Sequence, residues 1–303
     1  MRAELLLLAA LALAGCDGRD LLLGTGNPMD AGKELDPDAG RDDRLPTFET
    51  AREIEALSSG TDEPDDDPSL SEDQLVLCFN SKRDGGLGKE DIWCADRTSI
   101  DEPWNAPRPV VQLNSEERET GIALSADGRT LWFSSDRGDG DGGLDVYVST
   151  RETRDAEWAA PEHIDELSTE DDELVSSIDA KNRLLVLARR SDDDDDYDIY
   201  TATRAATDAA WQAATPLAEV NTDDEESDGF LIGAGLELIF TRDEDLMLSR
   251  RTAIDETFDR GEALASVNSE DDDRDAWADA EFTYLVFSSD RRGSYRLYEA
   301  KRR

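Results

Sequence analysis

The chain is poor in the residues from which most catalytic centres and nucleic-acid interfaces are built. It has one histidine, three cysteines, and 32 Lys and Arg against 74 Asp and Glu. His163 stands alone beside Pro161 in a charged segment, so no His-based triad or dyad can be assembled. No Gly-x-Ser-x-Gly elbow and no phosphate-cradling loop occurs. The cysteines lack the second Cys or His pair that a zinc site needs. The net charge of -42 excludes nucleic acid as a partner, because that affinity comes from cations neutralising phosphates. The same charge repels anionic head groups and favours cations and basic partners, although an excess of acid also serves solubility or salty surroundings. Beyond the first residues there is no long apolar run and no helical periodicity.

The N-terminus carries the clearest signal. Arg2 precedes LLLLAALALA, a ten-residue apolar run too short to span a bilayer at about 1.5 Å per residue. A charged start, a short apolar run and small residues are the marks of a secretory signal, with Glu4 an unusual guest. Leu13 to Cys16, LAGC, resembles the lipobox of bacterial lipoproteins, which implies that residues 1–16 end in a lipidated Cys16. Asp17 resembles an inner-membrane retention signal of some bacteria, so either membrane stays open. Residues 17–46 are rich in Asp, Gly and Pro without apolar period and read as a flexible acidic tether reaching about 30 Å.

From 47 to 303 the chain repeats itself. The hydrophobic runs LVLCFNS, TLWFSS, LLVLARR, ELIFTR and YLVFSSDR are anchored on Phe79, Phe133, Leu187, Phe240 and Phe287, at steps of 54, 54, 53 and 47 residues. A second marker keeps the same register: an aromatic and, nine residues on, an aliphatic, as in Phe48/Leu57, Trp104/Leu113, Trp158/Leu167, Trp211/Val220 and Phe258/Val267. Within one copy, IALSADGRTLWFSS is two strands joined at Asp127-Gly128, LDVYVST a third, and the segment opening at Trp158 a fourth. Four short strands about every fifty residues describe a propeller blade.

Trp104 to Ser149 combines a Trp-x-x-Pro start, Asn-Ser with acids, a Ser-x-Asp-Gly turn, a Phe-Ser-Ser-Asp-Arg strand end and a Gly-rich loop before Asp-aliphatic-Tyr. This resembles the WD40-like propeller repeat of the TolB type, over about Phe48 to Arg303. Copies three and four are degenerate. TolB-type propellers often have six blades, whereas five are counted here. The expected fold is an all-β, five-bladed propeller. The last copy lacks its outer strand, and Phe48/Leu57 is an outer strand with no blade before it, so the N-terminal segment should complete the last blade and close the ring.

Four sets of residues are candidate sites. Asp65, Glu119, Glu173, Glu226 and Asp273 lie fourteen positions before each anchor. A closed ring would gather them near one channel mouth, raising their pKa values by mutual repulsion or holding a cation, unless they only cap turns. Asp139, Asp141 and Asp145 have part of a calcium-loop spacing, though Arg137 takes the first ligand's place. Arg137 beside Asp136 and Arg291 beside Asp290 are expected to pair locally. Cys78 and Cys94 face each other across a hairpin, as a disulfide or as two buried thiols.

No cofactor is required, calcium being the one candidate. The family resemblance implies a non-catalytic, monomeric propeller, lipid-anchored in the bacterial cell envelope. It would bind an envelope protein or a peptidoglycan-associated component in the periplasm or at the cell surface. The alternative is a glycoside hydrolase-like enzyme using channel-mouth carboxylates such as Glu119, Glu173 or Glu226. Against it, an acid and a base need unequal surroundings, and repeated positions offer similar ones.

Overall fold

The computed structural model describes residues 44–190 and 196–303. The leader, Cys16 and most of the tether lie outside these residues. Among those described there are no helices and five antiparallel four-stranded sheets, the blades of a propeller.

The first blade is β2 (Asp65–Leu70), β3 (Val76–Ser81), β4 (Asp91–Asp96) and β5 (Arg108–Pro109). The second is β6 (Glu119–Leu124), β7 (Thr130–Ser135), β8 (Asp145–Thr150) and β9 (Glu162–His163). The third is β10 (Asp172–Ile178), β11 (Leu184–Arg190), β12 (Asp198–Thr203) and β13 (Thr215–Pro216). The fourth is β14 (Glu226–Ile232), β15 (Glu237–Arg242), β16 (Asp245–Arg250) and β17 (Glu262–Ala263). The fifth is β18 (Asp273–Ala278), β19 (Tyr284–Ser289) and β20 (Arg296–Lys301), completed by β1 (Arg52–Glu53) from the N-terminal side.

Each anchor run becomes the second strand of its blade, where alternate side chains bury against both neighbouring blades. The inner hairpin of the second blade turns at Gly128, whose φ of +69° glycine adopts without strain. Outer strands are shorter than the sequence suggests. β9 spans two residues and starts four after Trp158, because Trp158 itself packs inward and Pro161 has no N–H for a ladder. Such short outer strands leave little edge for another chain to pair with.

The apolar side chains fall into five clusters, one at each blade–blade junction. Phe133, Leu131 and Tyr147 of the second blade meet Val76, Ile92 and Leu113. Trp132 and Val146 meet Leu167, Leu187 and Trp211. Val186, Ile199 and Val220 meet Leu238 and Phe240, and Ile239 and Val267 meet Phe287 and Tyr298. The ring closes where Leu57, Val286 and Leu297 meet Leu70, Phe79 and Trp93. The aliphatic marker of each copy is therefore the wedge between its own blade and the next. Burying one such side chain contributes about 1.5–3 kcal/mol.

β1 pairs antiparallel with β20, Arg52 opposite Glu299 and Glu53 opposite Tyr298. The seam extends further, with Glu49 N–H donating to the Lys301 carbonyl and Ile54 N–H to that of Leu297, both at 2.8 Å. Phe48 is buried 5.3 Å from the Phe282 ring.

Candidate functional site: the axial channel

The five repeated acids, all fully buried, stand at the start of the innermost strands: Asp65, Glu119, Glu226 and Asp273 are the first residues of β2, β6, β14 and β18, and Glu173 is the second of β10. Each is engaged by an arginine at the end of the second strand of its own blade. Arg83 reaches Asp65 at 2.5 Å, Arg137 reaches Glu119 at 3.0 Å, Arg189 reaches Glu173 at 2.8 Å, and Arg242 reaches Glu226 at 2.5 Å. Arg291 holds Asp273 in the same way. Each arginine also donates to the carbonyl of the aliphatic marker: Leu57, Leu113, Leu167, Val220 or Val267. Its guanidinium lies against an aromatic ring, as Arg137 does 4.7 Å from the Tyr147 centroid. A Ser or Thr four residues before the acid donates its backbone N–H to Glu119, Glu173, Glu226 and Asp273.

The expected shared cluster of carboxylates is thus corrected to five separate ion pairs, one per blade. Burial pushes the Glu119 and Glu173 carboxyls up, opposed by hydrogen bonds from Ser115 and Thr169 and by the charges of Arg137 and Arg189. Repulsion between the five is not among the leading causes for either. The local pairs expected for these arginines are also replaced. Asp136 accepts the Arg118 N–H at 2.7 Å and Asp290 that of Asp272 at 3.0 Å, while Arg137 and Arg291 reach back across their blades.

Asp139, Asp141 and Asp145 are not drawn around one point. Asp139 accepts the Tyr147 hydroxyl at 2.9 Å, and Asp145 accepts the N–H groups of Asp141 and Gly142. A Cβ at Gly140 would sit 1.9 Å from an Asp145 oxygen, so the glycines let the loop close over its carboxylate. Asp91 does the same in the first blade, accepting from Leu87 and Gly88. This acid caps a loop. His163, half-buried, has its Nδ1 2.8 Å from Asp165 and its Nε2 3.6 Å from Asp145. Cys78 and Cys94 sit directly opposite on β3 and β4, their Cα atoms 4.1 Å apart, and are joined by a disulfide.

The axis is instead lined two residues further along the inner strands. Asp67, Asp228 and Asp275 each offer a carboxylate oxygen within 4.8 Å of the others, the group among the described residues that could hold a metal ion. Each sits at a bulge in its strand with φ of 51°, 56° and 54°. Gly121, at the equivalent place in β6, has φ of 58°. Only Gly, Asn and Asp enter this left-handed region readily, which accounts for the residue types. Asp67 accepts from Thr120 Oγ1 and Gly121 N–H at 2.8 and 2.7 Å. Asp228 accepts the Ser227 hydroxyl at 2.7 Å.

Arg274 lies beside the group but is held by Asp66, with Asp275 Oδ2 3.3 Å from its Nε. Burial and the neighbouring charges of Asp66 and Asp228 push the Asp67 carboxyl up to about 7. Asp275 is driven well above the usual range by burial, then by Asp228, Asp66 and Asp67. Chemically, the group can share protons or accept a cation. Its sequence signal was an Asp or Gly two positions after the repeated acid in four of the five copies.

No protein-family model matches the chain, and no curated protein matches it. Its fold is similar to that of a protein assigned as TolB from Agrobacterium tumefaciens, with TM-score 0.50 and 13% identity over 81% of this chain and 78% of that one. It is also similar to endo-arabinase from Bacteroides thetaiotaomicron, with TM-score 0.53 and 13% identity over 80% of this chain and 95% of that one. TolB from Acinetobacter baumannii aligns at TM-score 0.46 and 11% identity over 79% and 55%. Identities this low show the fold alone. The chain is a five-bladed β-propeller, and its propeller fold is similar to that of both a TolB-type protein and an endo-arabinase.

Proposed function

We propose that this chain is a non-catalytic propeller lipoprotein. It is anchored through Cys16 and binds a protein or peptidoglycan-associated component of the bacterial cell envelope. The observation that carries the non-catalytic part is the arginine held by each repeated acid. Glu119, Glu173 and Glu226, the acids a hydrolase would have used, are buried in equivalent ion pairs, with no unequal acid and base among them. The axial group gives the hydrolase reading no better support. One oxygen from each of its three aspartates lies within 4.8 Å of the others, a clustering that suits proton sharing or a cation. The envelope setting rests on the lipobox resemblance, the TolB-type repeat and the acidic surface.

The test is crosslinking in the native envelope and identification of the captured component. A specific partner, captured less at high salt and lost to the soluble fraction with Cys16→Ser, supports the proposal. Turnover of a glycan, abolished by Glu119→Gln, Glu173→Gln or Glu226→Gln, would establish the hydrolase in its place.

A further inference from the structure

At the end of the channel away from the repeated acids, the five inner strands finish in tight turns around a cavity of about 450 Å³. Every blade contributes to it. The floor is apolar, made by Leu70, Leu124, Ile178, Phe230 and Trp277, with the last two rings 6.1 Å apart. The mouth stays open because of what stands two residues after each inner strand. In four blades it is alanine, namely Ala126, Ala180, Ala234 and Ala280, and in the first it is Glu72. A cavity of this size, with an apolar and partly aromatic floor and charged side chains around it, suits a small ligand.

Its charges are unlike those of the chain as a whole. Lys181, Arg183, Arg204 and Arg251 line it from the third and fourth blades, against the carboxylates of Glu72, Asp179 and Asp279. Three of the cations are held in place by turn carbonyls: Arg183 by Ala205, Arg204 by Asn182 and Arg251 by Gly235. Asp179 and Asp279 are engaged by N–H groups of their own turns, Arg183 and Leu184 for one, Thr283 and Tyr284 for the other. Lys181 is exposed and makes no hydrogen bond or ion pair among the described residues. A molecule of net charge -42 thus has an apolar pocket in which cations outnumber acids by four to three, one of them uncommitted.

We propose that this cavity binds a small amphiphilic anion, its apolar body on Trp277, Phe230 and Leu124 and its carboxylate at Lys181. The site stands or falls separately from the envelope partner proposed above.

Three probes share one ring and differ in charge: 1-naphthoate, 1-naphthalenemethanol and 1-naphthylmethylamine. They are titrated calorimetrically into the full chain at about 0.15 M salt, where charges beyond about 8 Å are largely screened. The expected order of affinity is anion, then neutral, then cation, the reverse of what the net charge alone favours. Lys181→Glu should weaken the naphthoate about tenfold and leave the alcohol within about twofold. Ala234→Trp, a substitution in an exposed turn, should fill the mouth and weaken both. Saturable binding in this order, lost with Ala234→Trp, supports the site. Absence of saturable binding, preference for the amine, or binding indifferent to both substitutions would overturn it.

Discussion

A single nitrogen, Arg137 Nη2, lies 3.0 Å from Glu119 Oε1 and 2.7 Å from the carbonyl oxygen of Leu113. The contact joins three positions that recur in every copy: the acid opening the inner strand, the arginine ending the second strand, and the aliphatic wedge before the blade. Because Glu119 is fully buried, removing its cation strands a charge in the interior. Arg137→Leu should therefore cost about 3–5 kcal/mol in urea unfolding. Replacing both Glu119 and Arg137 by Leu should cost clearly less than the sum of the two single changes. Additive costs would mean that the pair is not the connecting element.

The axial acids give stability a pH dependence of definite sign. Asp67, at about 7 in the fold against 3.8 as a free group, holds its proton more tightly when folded. Its contribution is complete below pH 3.8 and is lost as pH rises through 7, and Asp275 acts in the same direction. Asp66 opposes them: burial raises it, but Arg274 and hydrogen bonds hold it at about 2, so its contribution is lost as pH falls from 3.8 through 2. Tm should peak between about pH 4 and 6 and fall toward pH 8. Asp67→Asn should flatten that fall and raise Tm at pH 8. An unchanged slope in this variant would show that Asp67 is ionised throughout.

The Cys78–Cys94 bridge closes a loop of sixteen residues within the first blade. Loop closure of that length contributes about 3 kcal/mol. Thiol reduction, or Cys78→Ala with Cys94→Ala, should lower the unfolding free energy by roughly that amount and leave the other blades' contacts intact. A loss below about 0.5 kcal/mol would indicate that the hairpin alone already holds the unfolded loop closed.

Much of the fold was legible because it repeats. Phe79, Phe133, Leu187, Phe240 and Phe287 all became central strands, and Phe48 and Leu57 were marked as a strand without a blade. The site was less legible. The repeated acids were found at the right positions, but their function depended on arginines sixteen or eighteen residues away, which adjacency wrongly assigned to Asp136 and Asp290. The axial group was harder still. Asp67, Asp228 and Asp275 turn toward the axis only because a bulge shifts the strand register at each, and alternation along an ideal strand does not include a bulge. The cavity needed closure itself, since no two blades contain it.

Closure is the claim on which the ion pairs, the axial group and the cavity all rest. Arg52 and Glu299 are cross-strand partners at the seam, so cysteines placed at both positions would face each other. Mild oxidation of that double variant, followed by proteolysis and mass spectrometry, reads the seam directly. The expected result is near-complete crosslinking within one chain, with Tm equal to or above that of the parent. Residues 52 and 299 remaining unlinked, or linked only between chains, would contradict a wheel fastened by its N-terminal strand.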